Sequence, residues 1–235
     1  IGEGSVEEDG DGFINFVYRV SDGEHHLIVK QSTLEARSKG SFTLDLNRYK
    51  LEYDAMKICA AIVPDLIPKL YDCDEENRVF ITEDVSYLRI SRFQLLKGVT
   101  YPKLADQIAR YMAATQFYTS EYYLDTKRFR DLSVHFMNTT MRKIMEVGMF
   151  LTSVTPEDTV GRPLDPEFVT FSKRICADPA VLLARQKLRH LFMSKGECLI
   201  HCDLHTSNIF ASQTEAKVID MEYAFFGPFA YDMGY

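Results

Sequence analysis

The sequence predicts an α+β fold of two lobes, a small antiparallel β lobe over residues 1–86 and a mostly helical lobe over 87–235. Three observations predict it. Short runs rich in β-branched and aromatic residues, separated by turns, fill the first part: Phe13–Val20, Leu27–Lys30, Leu70–Tyr71 and Val79–Thr82. One helix-period stripe, Leu51, Ala55, Ile58 and Ile62, interrupts them. Beyond residue 100 the periodicity is helical, until two short apolar runs, Cys198–Ile200 and Lys217–Ile219, each end in a polar cluster.

Taken in order, Glu3 to Gly12 is rich in Gly, Glu and Asp and predicts a loop. The first two strands flank the turn Ser21–Glu24 and read as a hairpin. A helix is expected over 45–62, closed by Pro64 and Pro68. Glu83-Asp84-Val85-Ser86 reads as the connector between lobes. Pro102 suits the first turn of a helix carrying Leu104, Ile108, Tyr111, Met112 and Thr115 on one stripe. Residues 126–150 are weakly helical, 152–166 read as a loop, and Val181, Ala184, Leu188, Leu191 and Phe192 mark a further helix.

Composition bounds the function. The 235 residues are 46% hydrophobic and 26% charged, enough to bury a core without disulfides or metals as staples. A net charge of −7 disfavours nucleic acid as a partner, because phosphate would be repelled. The five cysteines, Cys59, Cys73, Cys176, Cys198 and Cys202, are odd in number and contain no C-x-x-C pair, which reads as free thiols in a reducing compartment. No apolar run reaches the length of a membrane span and no signal peptide opens the chain, so a cytoplasmic location is expected. The abrupt start at Ile1 and stop at Tyr235 lead us to expect that the natural protein continues past both ends, most of all the second.

Chemistry concentrates in His201-Cys-Asp-Leu-His-Thr-Ser-Asn208, of the form H-x-D-x-x-x-x-N, and in Val218-Ile-Asp-Met-Glu222, which places an acid twelve residues after the asparagine and straight after a strand. This is the layout of a kinase catalytic loop and its metal-binding strand. A phosphoryl acceptor needs a carboxylate to orient its hydroxyl and take the proton, the role expected of Asp203. Asn208, Asp220 and Glu222 offer the hard oxygens that Mg²⁺ prefers. His201 reads as a structural residue that holds the loop. Lys30, at the end of a strand behind a glycine loop, stands where kinases keep the lysine for the ATP phosphates. Its expected partner is Glu52 on the following helix, with Glu35 as the alternative. Gly10 and Gly12 would let backbone N–H groups approach phosphate, although the loop is not a clean G-x-G-x-x-G and its carboxylates oppose a tight cradle. The backbone of Glu83, Asp84 and Val85 is placed to meet the adenine edge. No role is assigned to Cys202.

The catalytic run, followed by Glu222-Tyr-Ala-Phe-Phe-Gly-Pro228, resembles that of the 5-methylthioribose kinases, a family within the aminoglycoside phosphotransferase and choline kinase group. The likeness extends to Gly10–Tyr18, Val29-Lys-Gln31, Ser41–Arg48 with Glu52, Glu83–Ser86, Tyr101-Pro102 and Phe117–Glu121, and is weakest over about 126–180. The resemblance implies a bilobal protein-kinase-like fold, ATP and Mg²⁺, phosphorylation of the 1-hydroxyl of 5-methylthioribose in methionine salvage, and a possible homodimer. It implies Asp203 as base, Asp220 and Glu222 with Asn208 on the metal, Gly10, Gly12, Asn15 and Lys30 on the nucleotide, and Asp203 with His205 at the acceptor. The sequence departs from the family at Cys202, where Gly is usual, at Ser207-Asn208, where Gly-Ser is frequent, and at Phe42 and Met221, where Trp and Pro are common. The family's paired substrate-holding arginines fall beyond Tyr235. Choline, homoserine or an aminoglycoside as acceptor, and a non-catalytic pseudokinase, are the competing readings.

Overall fold

The structure is a computed structural model that describes residues 4–8, 15–33, 44–151 and 165–234. Expectations for Gly10, Gly12, Glu35, Phe42 and most of the loop over 152–166 fall outside those residues.

Five antiparallel strands form the first sheet, in the order β1-β2-β3-β5-β4: β1 (Ser5–Glu8), β2 (Phe16–Ser21), β3 (His26–Gln31), β4 (Leu70–Asp74) and β5 (Val79–Glu83). The β1 strand corrects the loop expected over Glu3–Gly12. Its backbone pairs with β2 at the sheet edge, Ser5 opposite Ser21 and Glu8 opposite Tyr18. All four of its residues are exposed, so no alternating apolar pattern marks it in the sequence. The expected β2–β3 hairpin closes on Asp22, whose carboxylate accepts from the N–H groups of Glu24 and His25 at 3.0 and 2.7 Å. Gly23 takes the left-handed conformation there (φ +91°). With β2 on one side and β5 on the other, β3 is an interior strand, and Lys30 lies opposite Phe80.

Helix α1 (Arg48–Ile62) ends two residues before Pro64, as a proline requires. Its buried face is Arg48, Tyr49, Glu52, Ala55, Met56 and Cys59, while Leu51, Ile58 and Ile62 are half-buried. The helix is thus rotated from the purely apolar stripe towards two charged residues that the site uses.

The rest of the chain comprises β6 (Arg89–Ile90), α2 (Ser91–Leu95), α3 (Leu104–Tyr118), α4 (Thr126–His135), α5 (Thr139–Glu146) running into a π-helical turn at Val147–Leu151, α6 (Pro166–Ala177), α7 (Pro179–Ser194), β7 (Cys198–Ile200), β8 (Ile209–Ala211), β9 (Ala216–Val218), β10 (Phe225–Gly227) and α8 (Ala230–Gly234). Pro102 lies in the turn before α3, not in its first helical turn. Helices α6 and α7 open on the same Asp-Pro device: the carboxylates of Asp165 and Asp178 accept from the N–H groups of Glu167 and Ala180, at 2.8 and 2.7 Å, and the proline fills the first helical position.

Two small antiparallel sheets carry the polar motifs, β7 with β10 and β6-β8-β9. Residues 201–208 run from β7 to β8 and residues 219–224 from β9 to β10, so both polar loops emerge side by side. The N–H of Ile219 donates to the carbonyl of Asn208 at 3.0 Å and ties them together. Below them lie two apolar clusters, one joining Met56, Cys59, Leu66, Tyr111, Val218 and Phe226, the other Met145, Phe192, Ile200, Cys202 and Phe225. The cysteines are free thiols. Among the described residues no helix is long and apolar enough to cross a membrane.

Candidate active site

The strands deliver the expected residues to one place. Lys30, on the interior strand β3, reaches Glu52 of α1, Nζ to Oε1 2.8 Å, and donates to Oδ1 of Asp220 as well. The lysine side chain is 13% exposed and that of Asp220 31%, so the pair is largely out of water but open on the side of Asp220. Burial alone would lower the lysine pKa; the Asp220 and Glu52 carboxylates override it and hold the ammonium above its usual range. Asp220 is also raised by burial, yet Lys30 brings it below the ordinary carboxylate range. Glu52 is pushed up to about 7 by burial and Glu222 to about 8 by burial and the neighbouring Asp220.

A second, fully buried hub acts electrostatically on the same cluster. The Arg48 guanidinium, 0% exposed, donates to Asn15 Oδ1 (2.7 and 3.2 Å), to the carbonyl of Thr33 (2.6 Å) and to that of Asp45 (3.1 Å), and lies 3.8 Å from Glu222 Oε2. Asn15 passes the contact on, Nδ2 donating to Glu222 Oε2 at 2.8 Å, while Ser32 Oγ donates to Asn15 Oδ1 at 3.2 Å. The side chain of Asn15, expected to face the nucleotide, is therefore turned inward, where the buried guanidinium requires acceptors. Asn138, at a left-handed φ of +41°, fixes the backbone of the acid motif by donating to the carbonyls of Glu222 and Ala224 at 2.8 and 3.0 Å.

The loop over residues 201–208 is held from both sides. His201 is buried; its Nε2 donates to the Ile219 carbonyl at 2.9 Å and its Nδ1 accepts from the N–H of Asp203 at 3.2 Å, the holding role expected of it. The carboxylate of Asp232 accepts from the N–H groups of His201 and Cys202 at 2.8 and 2.9 Å; burial raises its pKa. Ser91, at the start of α2, donates through its hydroxyl to the Thr206 carbonyl at 2.7 Å. Asn208 Nδ2 donates to the carbonyl and to Oδ2 of Asp203, 3.0 and 3.1 Å, so its amide nitrogen is committed to the loop. His205 Nε2 lies 3.5 Å from Asp203 Oδ2, and its Nδ1 accepts from the N–H of Ser207 at 3.1 Å. Cys202 (φ +67°) and Asp220 (φ +67°) both occupy the left-handed region that disfavours a side chain. A glycine would meet no such conformational cost at position 202.

At the inter-lobe crossing, Glu83 closes β5 and its carboxylate accepts from the N–H of Lys69 at 3.0 Å. Asp84 pairs with Arg19 at 2.9 Å, and Val85 is buried, its carbonyl accepting from Leu88. Among the expected site residues, Lys30, Glu52 and Asp220 form one contact group, Asn15 and Glu222 a second through Arg48, and Asp203, His205 and Asn208 a third; the Ile219–Asn208 backbone bond ties the third to the segment that carries Asp220. Sequence reasoning did not identify Arg48, Asn138 or Asp232. They act mainly through hydrogen bonds across 30 to 86 positions, and no local spacing reports such contacts. Among the described residues no group of three or more His, Cys, Asp or Glu side chains forms a metal site on its own.

Over 228 residues, 97% of its length, the chain is 38% identical to methylthioribose kinase of Bacillus cereus and to that of Bacillus thuringiensis. The chain is a homologue of the methylthioribose kinases. It spans 58% of the length of those relatives. Residues 154–235 also match the phosphotransferase enzyme family (APH). Solved structures share the fold: a choline kinase of Streptococcus pneumoniae (17% identity, 99% of this chain and 68% of that one, TM-score 0.52) and an aminoglycoside-3'-phosphotransferase of type VIII (20% identity, 98% and 75%, TM-score 0.51). The fold is the α+β, protein-kinase-like one expected from the sequence.

Proposed function

We propose that this chain carries the nucleotide site and catalytic loop of an ATP-dependent kinase that phosphorylates the 1-hydroxyl of 5-methylthioribose, a step of methionine salvage. The observation that carries this reading is the convergence of Lys30–Glu52, Asp220 and the Asp203–Asn208 pair in a chain 38% identical to methylthioribose kinases.

Lys30 would hold the phosphates of ATP, with Gly10 and Gly12, outside the described residues, as further expected contacts, and the backbone of Glu83, Asp84 and Val85 would meet the adenine edge. Asp203 orients the acceptor hydroxyl for in-line attack on the γ-phosphorus and takes its proton as the new P–O bond forms and ADP leaves. His205 and Asn208 steer the Asp203 carboxylate towards the acceptor. Charge balance fits a divalent cation: Glu52, Asp220 and Glu222 set three carboxylates against Lys30 and Arg48, and burial first, then the neighbouring Asp220, raises Glu52 and Glu222. Asp220, Asn208 and Glu222 would hold Mg²⁺ through hard oxygens. When bound, that ion neutralises charge on the transferring phosphoryl group. Positioning and charge neutralisation supply most of the rate.

The test is Mg²⁺-ATP turnover of the full-length protein against 5-methylthioribose, choline, homoserine and kanamycin. Turnover confined to 5-methylthioribose is the expected result. Turnover of another acceptor alone overturns the substrate, and ATP binding without turnover of any of the four overturns the activity.

A further inference from the structure

Lys217 is a buried lysine that the proposed reaction does not use. It sits in the middle of β9, three residues before Asp220, with its side chain 11% exposed. Burying an ammonium is costly unless it is paired and hydrogen-bonded. Lys217 meets both conditions with groups of the other lobe. Its Nζ donates to the carbonyl of Ile67 at 3.0 Å and lies 3.9 Å from Glu83 Oε2. The next residue repeats the connection, the N–H of Val218 donating to the carbonyl of Leu66 at 2.8 Å. Glu83 is in turn anchored to the same loop through the N–H of Lys69. One ammonium thus gathers the strand that ends in Asp220, the loop between α1 and β4, and the end of β5 where the chain crosses between lobes.

We propose that Lys217 is a positioning residue that sets the inter-lobe crossing against the Asp220 strand, and so fixes where a nucleotide lying along residues 83–85 presents its phosphates to Asp220. The inference rests on the kinase reading above. Lys217 touches neither nucleotide nor acceptor; it acts through Ile67 and Glu83. A neutral isostere in its place removes the hydrogen bond and the charge opposite Glu83 together, and the crossing is then free to shift relative to Asp220.

The experiment compares full-length wild type with Lys217→Met and Lys217→Arg. Its readouts are equilibrium binding of a fluorescent ADP analogue and the KM values for ATP and for 5-methylthioribose, at a temperature where circular dichroism shows each variant folded. The expected result is about a ten-fold weaker nucleotide affinity for Lys217→Met, with the acceptor KM within about two-fold of wild type, and recovery of most of the affinity in Lys217→Arg. Should Lys217→Met not fold, Lys217→Gln is read by the same criterion, since it keeps a donor but removes the cation facing Glu83. Nucleotide affinity within two-fold of wild type, or equal losses in the nucleotide and acceptor parameters, overturns the proposal. Failure of the wild type itself to bind nucleotide refutes the kinase reading instead.

Discussion

Lys30 Nζ lies 2.8 Å from Glu52 Oε1, joining an interior strand to the helix that faces it. The same ammonium reaches Asp220, 190 positions along the chain, so one cation balances acids from two separate parts of the fold. Removing one partner of a buried pair strands the other charge, at a cost of about 3–5 kcal/mol. Lys30→Met is expected to lose stability of that order and to abolish measurable ATP turnover. Chemical denaturation checks the first and a coupled ADP assay the second. A variant as stable as wild type contradicts the pairing.

Asp232 accepts the N–H groups of both His201 and Cys202, so it holds the catalytic loop from beneath. Asp232→Ala leaves two buried donors without that acceptor and is expected to destabilise the protein by roughly 2–4 kcal/mol. The kcat should fall at temperatures where the variant is still folded. Urea unfolding together with steady-state kinetics measures both.

Cys202 has its buried side chain on a left-handed backbone. A side chain in that conformation costs about 1–2 kcal/mol, comparable to the packing lost with one methyl group. Cys202→Gly is therefore expected to be at least as stable as Cys202→Ala, the reverse of the usual order at a buried site. Thermal unfolding of the two variants compares them directly, and an alanine variant clearly more stable than the glycine one contradicts this account.

Much of this arrangement is legible in the sequence, and what is not has a physical cause. The loops 201–208 and 219–224 and the pairing of Lys30 with Glu52 are legible from spacing, because each follows a short strand or a helix whose pattern is local, and the structure brings Lys30, Glu52 and Asp220 into contact. The exposed edge strand Ser5–Glu8 carries no apolar alternation, and the three-residue strands β8 and β10 are too short for a period to show. Arg48, Asn138 and Asp232 escape because their partners are distant backbone and side-chain groups. The motif marks Asp220, but not its left-handed backbone, which no local pattern in the sequence reports.

Glu222 and Glu52, with the likewise raised Asp232, contribute to the pH dependence in the same direction. The folded pKa values of Glu222 and Glu52 are pushed up from 4.5 to about 8 and about 7. Between about pH 4.5 and 8 the folded chain holds more protons on these acids than the unfolded chain, so their contribution to stability falls as pH rises through that window. The depressed Asp220 and the raised Lys30 act outside it. The urea midpoint of the metal-free protein is expected to fall more steeply from pH 5.5 to 8 than that of Glu222→Gln. Equal slopes contradict the assignment.

The most direct test of the central claim is acceptor-dependent ADP formation by Asp203→Asn in the full-length protein, measured beside nucleotide binding. The substitution removes the only base proposed and keeps the side-chain size, so kcat is expected to drop by about 10³-fold or more with nucleotide affinity within two-fold of wild type. Turnover within ten-fold of wild type would contradict Asp203 as the group that orients the acceptor and takes its proton.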